Sequence, residues 1–374
     1  MITKKNKSKK KPLIIITAGG TGGHVYPAES LAEELSSRGY ELALVTDSRG
    51  KNNYRGKLGE IQNYAVQAGA LIGKSYLFKI KSLFKTGIGI AQAIAFLVIK
   101  KPICVVGFGG YASFPCSAAS ILLGIPLIIH EQNSVMSRTN RFLSRFAKLT
   151  AQSFKNVKST PQEAKTVLTG MPIRKNIIDI RDRTYPKAEK QFRLLILGGS
   201  QGSKIFSEVI PEAIKKCDKK TIKMLKIYQQ CRQDDLKAAN KAYLGSEADI
   251  TLTNFFNNMP KLYSESHLII SRAGASSVSE IAAVGLPSIL VPLAIAADDH
   301  QTYNAKNLED TEAAIIIKES DFTPDTLHKA LSRLIGDHAL LKKMANNAKK
   351  AGIIDAATRL ADAIEKEIRN VRIK

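Results

Sequence analysis

The sequence has no tryptophan, only four cysteines, aromatics at 6% of its 374 residues, and 33 acidic residues against 56 basic ones. Each shortage excludes something. Cys104, Cys116, Cys217 and Cys231 form no C-x-x-C pair and no metal-ligand spacing with the six histidines. This argues against a disulfide scaffold or zinc motif and reads as small core residues of a reducing compartment. Without tryptophan, and without interleaved aromatic and basic residues, no recognised nucleic-acid motif appears. The KKNKSKKK start runs straight into apolar residues and lacks a small-residue cleavage site, so no secretory signal is expected. Residues 1–11 read as a disordered basic tail.

The acid deficit is uneven. Between residues 61 and 162 the one acidic residue is Glu131, beside twelve lysines and arginines. The formal net charge of +23 calls for an anionic partner: nucleic acid, an anionic membrane or an acidic substrate. A genome-wide lysine bias is the alternative.

What the chain does contain is alternation. Hydrophobic residues make up 44% of it, enough for two domains with their own cores. Residues 13–27, LIIITAGGTGGHVYP, read as a buried strand, a glycine loop and a helix starting near Pro27. Such a loop lets backbone N–H groups approach an anion, and the helix start adds unpaired donors and the positive dipole end. His24 closes the loop. Val25 stands where G-x-G-x-x-G needs its last glycine and no P-loop lysine follows, which disfavours a dinucleotide-dependent oxidoreductase. Strands at ELALVT, ICVVGFG, IPLIIHE and KLTAQS follow, with helices over 113–123 and 137–147. After a charged, proline-bearing stretch at 171–190, read as a linker, the opening recurs as LLILGGSQGS. The fold class is therefore α/β: two doubly wound parallel-sheet domains, 12–170 and 191–351, whose glycine loops face one cleft. A C-terminal helical segment, 352–374, is expected to pack back on the first domain.

Residues 75–101 carry Leu77, Phe78, Leu83 and Phe84 among Lys74, Lys79, Lys81 and Lys85. The uninterrupted apolar part spans only about 21 Å as a helix, short of the roughly 30 Å hydrocarbon core. It is either a buried helix or one whose first half lies on a membrane with its lysines at the headgroups. Arg138, Arg141 and Arg145, spaced for one helical face, would extend that patch.

In the second half, Gly274, Ala275, Ser276 and Ser277 end a strand and open a helix. Glu280, about one turn in, either accepts from the 2′ and 3′ hydroxyls of a ribose or complements the helix dipole. Gln301 and Asn304 are amides suited to sugar hydroxyls.

Taken together, GGTGGHVYPA, GFGGYASFP, HEQNSVMSRTN, GMPIR, GGSQGS, SRAGASSVSEIAAVGLPSILVPL and DDHQTYNA resemble, in order and spacing, the MurG family. These are the GT-B enzymes of glycosyltransferase family 28 that complete lipid II. The resemblance implies inverting transfer of N-acetylglucosamine (GlcNAc) from UDP-GlcNAc to the C4 hydroxyl of the muramyl sugar of lipid I. It places Thr21, Gly22, Gly23, Asn133, Arg174, Ser200, Phe256, Ala275, Glu280 and Gln301 at the donor. Gly19, Gly20, His24, Gly109, Gly110 and Tyr111 fall at the acceptor. It also implies no required cofactor and no metal site, since D-x-D is absent and Mg2+ would at most stimulate. The implied partners are UDP-GlcNAc, lipid I, an anionic membrane and cell-wall assembly proteins, with no nucleic acid; the implied location is the cytoplasmic face of the inner membrane. For the base on the acceptor hydroxyl, His24 is the first candidate, being neutral near pH 7. Glu131, a lone carboxylate in basic surroundings that should stay ionised, is the second. The third alternative makes His24 a structural loop cap.

Overall fold

The computed structural model describes residues 11–19, 22–47, 56–69, 76–188, 190–199 and 202–372. The predicted tail, Gly20, Thr21, Lys74 and Ser200 lie outside the described residues, Lys11 aside, as does the side chain of Leu77.

The first half holds β1 (Leu13–Thr17), β2 (Glu41–Thr46), β3 (Gln62–Ala65), β4 (Cys104–Gly107), β5 (Leu127–Glu131), β6 (Leu149–Gln152) and β7 (Thr166–Leu168). Between them run α1 (Gly22–Ser37), α2 (Gly56–Glu60), α3 (Tyr76–Lys100), α4 (Phe114–Leu122) and α5 (Arg138–Leu143). The short α6 (Lys175–Ile178) leads to β8 (Phe192–Leu197), β9 (Leu225–Gln230), β10 (Asp249–Thr253), β11 (Leu268–Ser271), β12 (Ser288–Leu290) and β13 (Ala314–Ile316). Their helices are α7 (Lys204–Lys215), α8 (Lys219–Met224), α9 (Leu236–Ala242), α10 (Met259–Glu265), α11 (Ala275–Val284) and α12 (His300–Glu309). Then come α13 (Pro324–Ile335), α14 (His338–Ala351) and α15 (Ala356–Arg372).

Both sheets are parallel, in the orders β3-β2-β1-β4-β5-β6-β7 and β10-β9-β8-β11-β12-β13. The alternation within β1 shows why its first four residues are apolar: Ile14 and Ile16 pack against α1 and α15 while Ile15 faces the α3 and α4 side. A strand covered on both faces has no polar positions to spare. In each sheet the order reverses at the first strand, between β1 and β4 and between β8 and β11. Loops leaving adjacent strand ends diverge there and open a crevice. The chain leaves these four strand ends at residues 18–19, 108–113, 198–199 and 272–274, so within each sheet the topology sets a glycine-bearing stretch beside the loop of the neighbouring strand.

Three elements differ from their sequence reading. Helix α1 begins at Gly22, not near Pro27, so Gly22, Gly23 and His24 form its first turn and Pro27 lies inside it. Helix α5 stops at Leu143, with Ser144 as C-cap, so Arg145 leaves the face of Arg138 and Arg141 and instead pairs with Glu163 at 3.1 Å. The 171–188 segment is packed: Met171, Ile173 and Ile177 enter the second domain's core, and Arg181 donates to the Ala283 and Lys349 carbonyls. Helix α15 crosses back, burying Leu360, Ala361, Ile364 and Ile368 beside Leu31 and Leu35 of α1.

Candidate active site

His24 sits in the first turn of α1, where its ring lies against two glycines. A Cβ on Gly110 would come within 3.6 Å of its Cε1, and one on Gly19 within 3.7 Å of its Nδ1. Gly110 also has φ +77°, so a side chain there would be strained as well as crowded. Burial pushes the His24 imidazole down from 6.5 to about 4. The ring is therefore neutral at pH 7 and able to accept a proton.

A second imidazole, missed in the sequence reading, lies close behind. His130 is fully buried; its Nε2 meets the Gly170 carbonyl at 3.0 Å and its Nδ1 meets Gln132 Nε2 at 3.3 Å. A carbonyl only accepts, so Nε2 carries the proton and Nδ1 accepts. Burial, with the charge of His24 adding to it, holds this group at about 4 too. Gln132 passes the order on, donating to the Phe108 carbonyl at the start of the Gly109–Gly110 loop.

Glu131 is enclosed by hydrogen-bond donors. Its side chain is 0% exposed, and its carboxylate accepts from Asn133 N, Asn133 Nδ2, Ser137 N and Asn140 Nδ2 at 2.8 to 3.3 Å. Burial pushes its carboxyl up despite these four donors, so neighbouring cations do not set its state. With four hydrogen bonds accepted, Glu131 organises the 132–140 turn. Through Asn140 it reaches Gly109, whose Cβ position lies 3.3 Å from Asn140 Nδ2. Tyr111 is half-buried just beyond.

On the opposite wall, α11 begins at Ala275 after Gly274, and no side chain caps its first N–H groups. Ser276 Oγ is buried there without a partner. Glu280 is engaged on both oxygens, by Arg174 Nη2 at 3.2 Å and by Tyr263 Oη at 3.0 Å. Tyr263, also missed in sequence, has its hydroxyl pKa raised strongly by burial and by that carboxylate. Arg174 in turn lies over the Tyr26 ring of α1, 4.4 Å from its centroid, joining the two domains. Gln301 Oε1 accepts from Ala273 N and Leu293 N, which leaves its amide N–H groups to donate. Phe256 is half-buried against the core, edge-on to Tyr228. Arg272, not singled out in the sequence, holds Ser203 Oγ at 3.0 Å and Glu319 at 2.7 Å, fixing the end of the second glycine loop.

Asn133 stands at the domain junction. Its Oδ1 accepts from Asn304 Nδ2 at 3.1 Å, while Asn304 Oδ1 accepts from Ser134 N at 2.8 Å. Asn307 donates to Ser134 Oγ, Lys158 lies 3.7 Å from the Tyr303 ring centroid, and Arg138 is 3.7 Å from Asp298. Of the three amides expected at sugar hydroxyls, Asn133 and Asn304 hydrogen-bond across the domain junction, and Gln301 keeps its N–H groups free to donate. Among the described residues, no three His, Cys, Asp or Glu side chains cluster to hold a metal ion.

On the outer surface, Phe78, Ile80, Leu83 and Phe84 of α3 are exposed, the last two by 66% and 70%, beside exposed Lys79, Lys81 and Lys85. Helix α3 is one unbroken rod of 25 residues, longer than expected, and residues 78–100 are long and apolar enough by composition to cross a membrane. Its stripe of Ser82, Thr86, Gly89, Ala93 and Leu97 is buried against the domain, however, so one face is already committed. Exposed Phe142 and Phe146, with Phe114, form an aromatic row that starts just past the Gly110 loop; the sequence reading had not included it.

Comparison with known proteins gives a consistent result. The sequence model of the glycosyltransferase family 28 N-terminal domain matches residues 14–152, and that of the C-terminal domain matches 193–360. A Paramagnetospirillum magneticum protein is 45% identical over 96% of this chain and 97% of its own length. A Rhodospirillum rubrum protein is 40% identical over 94% and 91%. Both are named UDP-N-acetylglucosamine–N-acetylmuramyl-(pentapeptide) pyrophosphoryl-undecaprenol N-acetylglucosamine transferase. The crystal structure of Acinetobacter baumannii MurG superposes with a TM-score of 0.77 at 35% identity, covering 95% of this chain and 99% of that one.

Proposed function

The chain belongs to glycosyltransferase family 28, and on that premise we propose that it transfers GlcNAc from UDP-GlcNAc to the C4 hydroxyl of the muramyl sugar of lipid I, giving lipid II. The observation that carries the reading is the meeting of two phosphate-receptive helix starts across one cleft. Helix α1 brings His24 and Tyr26; α11 brings Glu280; Arg174 touches both Tyr26 and Glu280.

Inversion in a single displacement needs a base on the acceptor hydroxyl and stabilisation of the leaving diphosphate. His24, neutral at pH 7, takes the proton. An anionic pyrophosphate bound at the first turn of α1 would favour the imidazolium that forms, raising its basicity from about 4. Arg174 and the uncapped N–H groups of α11 receive the charge that develops on UDP, a role that needs no resident cofactor, with Mg2+ at most a stimulant. Ribose hydroxyls would exchange with Arg174 and Tyr263 for the Glu280 carboxylate, and Gln301 would donate to the sugar. Gly19, His24 and the 109–111 loop would line the acceptor, with Glu131 as a positioning residue behind them.

Peripheral attachment to an anionic membrane, the cytoplasmic face of the inner membrane, follows from the same reading. The exposed apolar residues of α3 contribute about 1.5–3 kcal/mol each when buried, and each flanking lysine about 1 kcal/mol. The aromatic row beside the Gly110 loop would put the acceptor end at the lipid surface, where cell-wall assembly proteins could also meet it.

The test is transfer of radiolabelled GlcNAc from its UDP donor to a short-chain lipid I analogue. The wild type should transfer, while His24→Ala should lose about 10²–10⁴ in turnover with UDP-GlcNAc affinity little changed. No transfer by the wild type would refute the function, and robust turnover by the variant would remove His24 as the base.

A further inference from the structure

Away from the cleft, a cavity of about 170 Å3 lies between the 183–185 segment and α14, lined by Arg183, Thr184, Tyr185, Gly285, Lys342 and Lys349. Gly285 is the C-cap of α11, so the cavity sits at the far end of that helix from Ala275, about 15 Å away along its axis. Three cations face this space. Arg183 Nε and Nη2 are buried and have no hydrogen-bond partner. Lys349 donates one N–H to the Arg183 carbonyl at 3.1 Å, which brings the second charge beside the first. Among the described residues, Asp182 is the acidic side chain that acts on the group, through Lys349.

The cluster is costly as it stands. Burial lowers the Arg183 pKa, and burial with repulsion from Arg183 and Arg181 lowers that of Lys349. A buried charged donor left without a hydrogen bond keeps its desolvation penalty uncompensated. The carbonyl end of α11 does not answer the Arg183 fork, because Arg181 already binds the Ala283 carbonyl there. Nor is the fork loosely held: Tyr185 Oη donates to the His267 carbonyl at 2.6 Å and pins the segment that carries it.

We propose that this cavity is a binding site for a small phosphate-class dianion. The Nε/Nη2 edge of a guanidinium matches two oxygens of a tetrahedral oxyanion, and the two lysines supply point charges to the others. The volume excludes larger ligands, being below the roughly 300 Å3 at which pockets for drug-sized molecules begin. Inorganic phosphate and the terminal phosphate of a phosphomonoester share the required chemistry. The site is independent of the transfer reaction proposed above, and it bridges the inter-domain segment and α14, so its occupation would tie that segment to the second domain.

Thermal unfolding of the full chain tests this, with saturating UDP present so that the cleft's own phosphate-binding loops are occupied. Inorganic phosphate or glycerol 3-phosphate is titrated against potassium chloride at matched ionic strength. Wild-type Tm should rise with phosphate and not with chloride. Arg183→Gln should not respond, and Lys342→Gln, an exposed and structurally uncommitted position, should need at least ten-fold more phosphate. Without phosphate, Arg183→Gln should be no less stable than wild type, since it removes an unpaired buried charge. A response to both anions identifies an ester or free phosphate as the ligand, and a response to inorganic phosphate alone identifies the free ion. No wild-type response beyond chloride, or equal responses in wild type and both variants, overturns the proposal.

Discussion

Replacing His130 by glutamine isolates one titration that the fold imposes. Glutamine can still donate to the Gly170 carbonyl that now receives His130 Nε2 at 3.0 Å, but it takes up no proton. In the folded chain, burial holds His130 at about 4 against an ordinary 6.5. The unfolded chain therefore binds a proton between those values that the native state refuses. For a base with a depressed pKa, the stabilisation is fully present above pH 6.5 and is lost as pH falls toward 4. Across that window the shift corresponds to about 3 kcal/mol, at about 1.4 kcal/mol per unit. Carboxylates titrate alike in both proteins and cancel in the difference. Urea unfolding followed by circular dichroism at pH steps from 7 to 4 measures it. The wild type should lose about 3 kcal/mol more than His130→Gln over this range, roughly 6–10 °C in Tm for domains of this size. Parallel curves would refute the buried neutral imidazole and the tautomer argument built on it.

Three further outcomes are expected. Glu280→Ala should raise the UDP-GlcNAc KM by at least ten-fold while changing the lipid I KM little, read from steady-state kinetics in each substrate; equal effects on both would break the division between the two walls of the cleft. Glu131→Gln turns an N–H2 toward donors that now face a carboxylate oxygen, so about 3 kcal/mol of stability should be lost from two charge-assisted bonds, with the acceptor KM rising more than the donor KM. An unchanged denaturation midpoint would contradict the four-bond geometry. Charge reversal at Lys79 and Lys81 should weaken co-sedimentation with anionic vesicles at least ten-fold, yet leave turnover of a water-soluble acceptor analogue intact; undiminished sedimentation would sever α3 from membrane attachment.

Much of the architecture was legible because it rests on local pattern. An apolar run feeding a glycine loop and a helix is a strand leaving a parallel sheet wherever it occurs, and this chain writes it at residues 13–24 and again at 194–203. The helix boundaries were less legible. Nothing in 137–147 announces that the helix ends at Leu143, and Pro27 marked a helix start although Gly22 and Gly23 before it were already helical. Arg272 and Tyr263 escaped notice because their partners, Ser203 and Glu280, are 69 and 17 residues away.

By itself, the sequence determined the two parallel-sheet domains, the placement of the phosphate-receptive loops and the basic, apolar-tipped first half, since period, glycine spacing and charge are properties of neighbouring residues. Only the tertiary structure decided what each site residue is free to do. It withdrew Glu131 into four hydrogen bonds, held His24 and His130 neutral by burial, paired Glu280 with Arg174 from 106 residues away, and turned Asn133 and Asn304 into a domain contact. Protonation state and available lone pairs depend on desolvation and on partners, and both come from chain segments that meet only once the fold has formed.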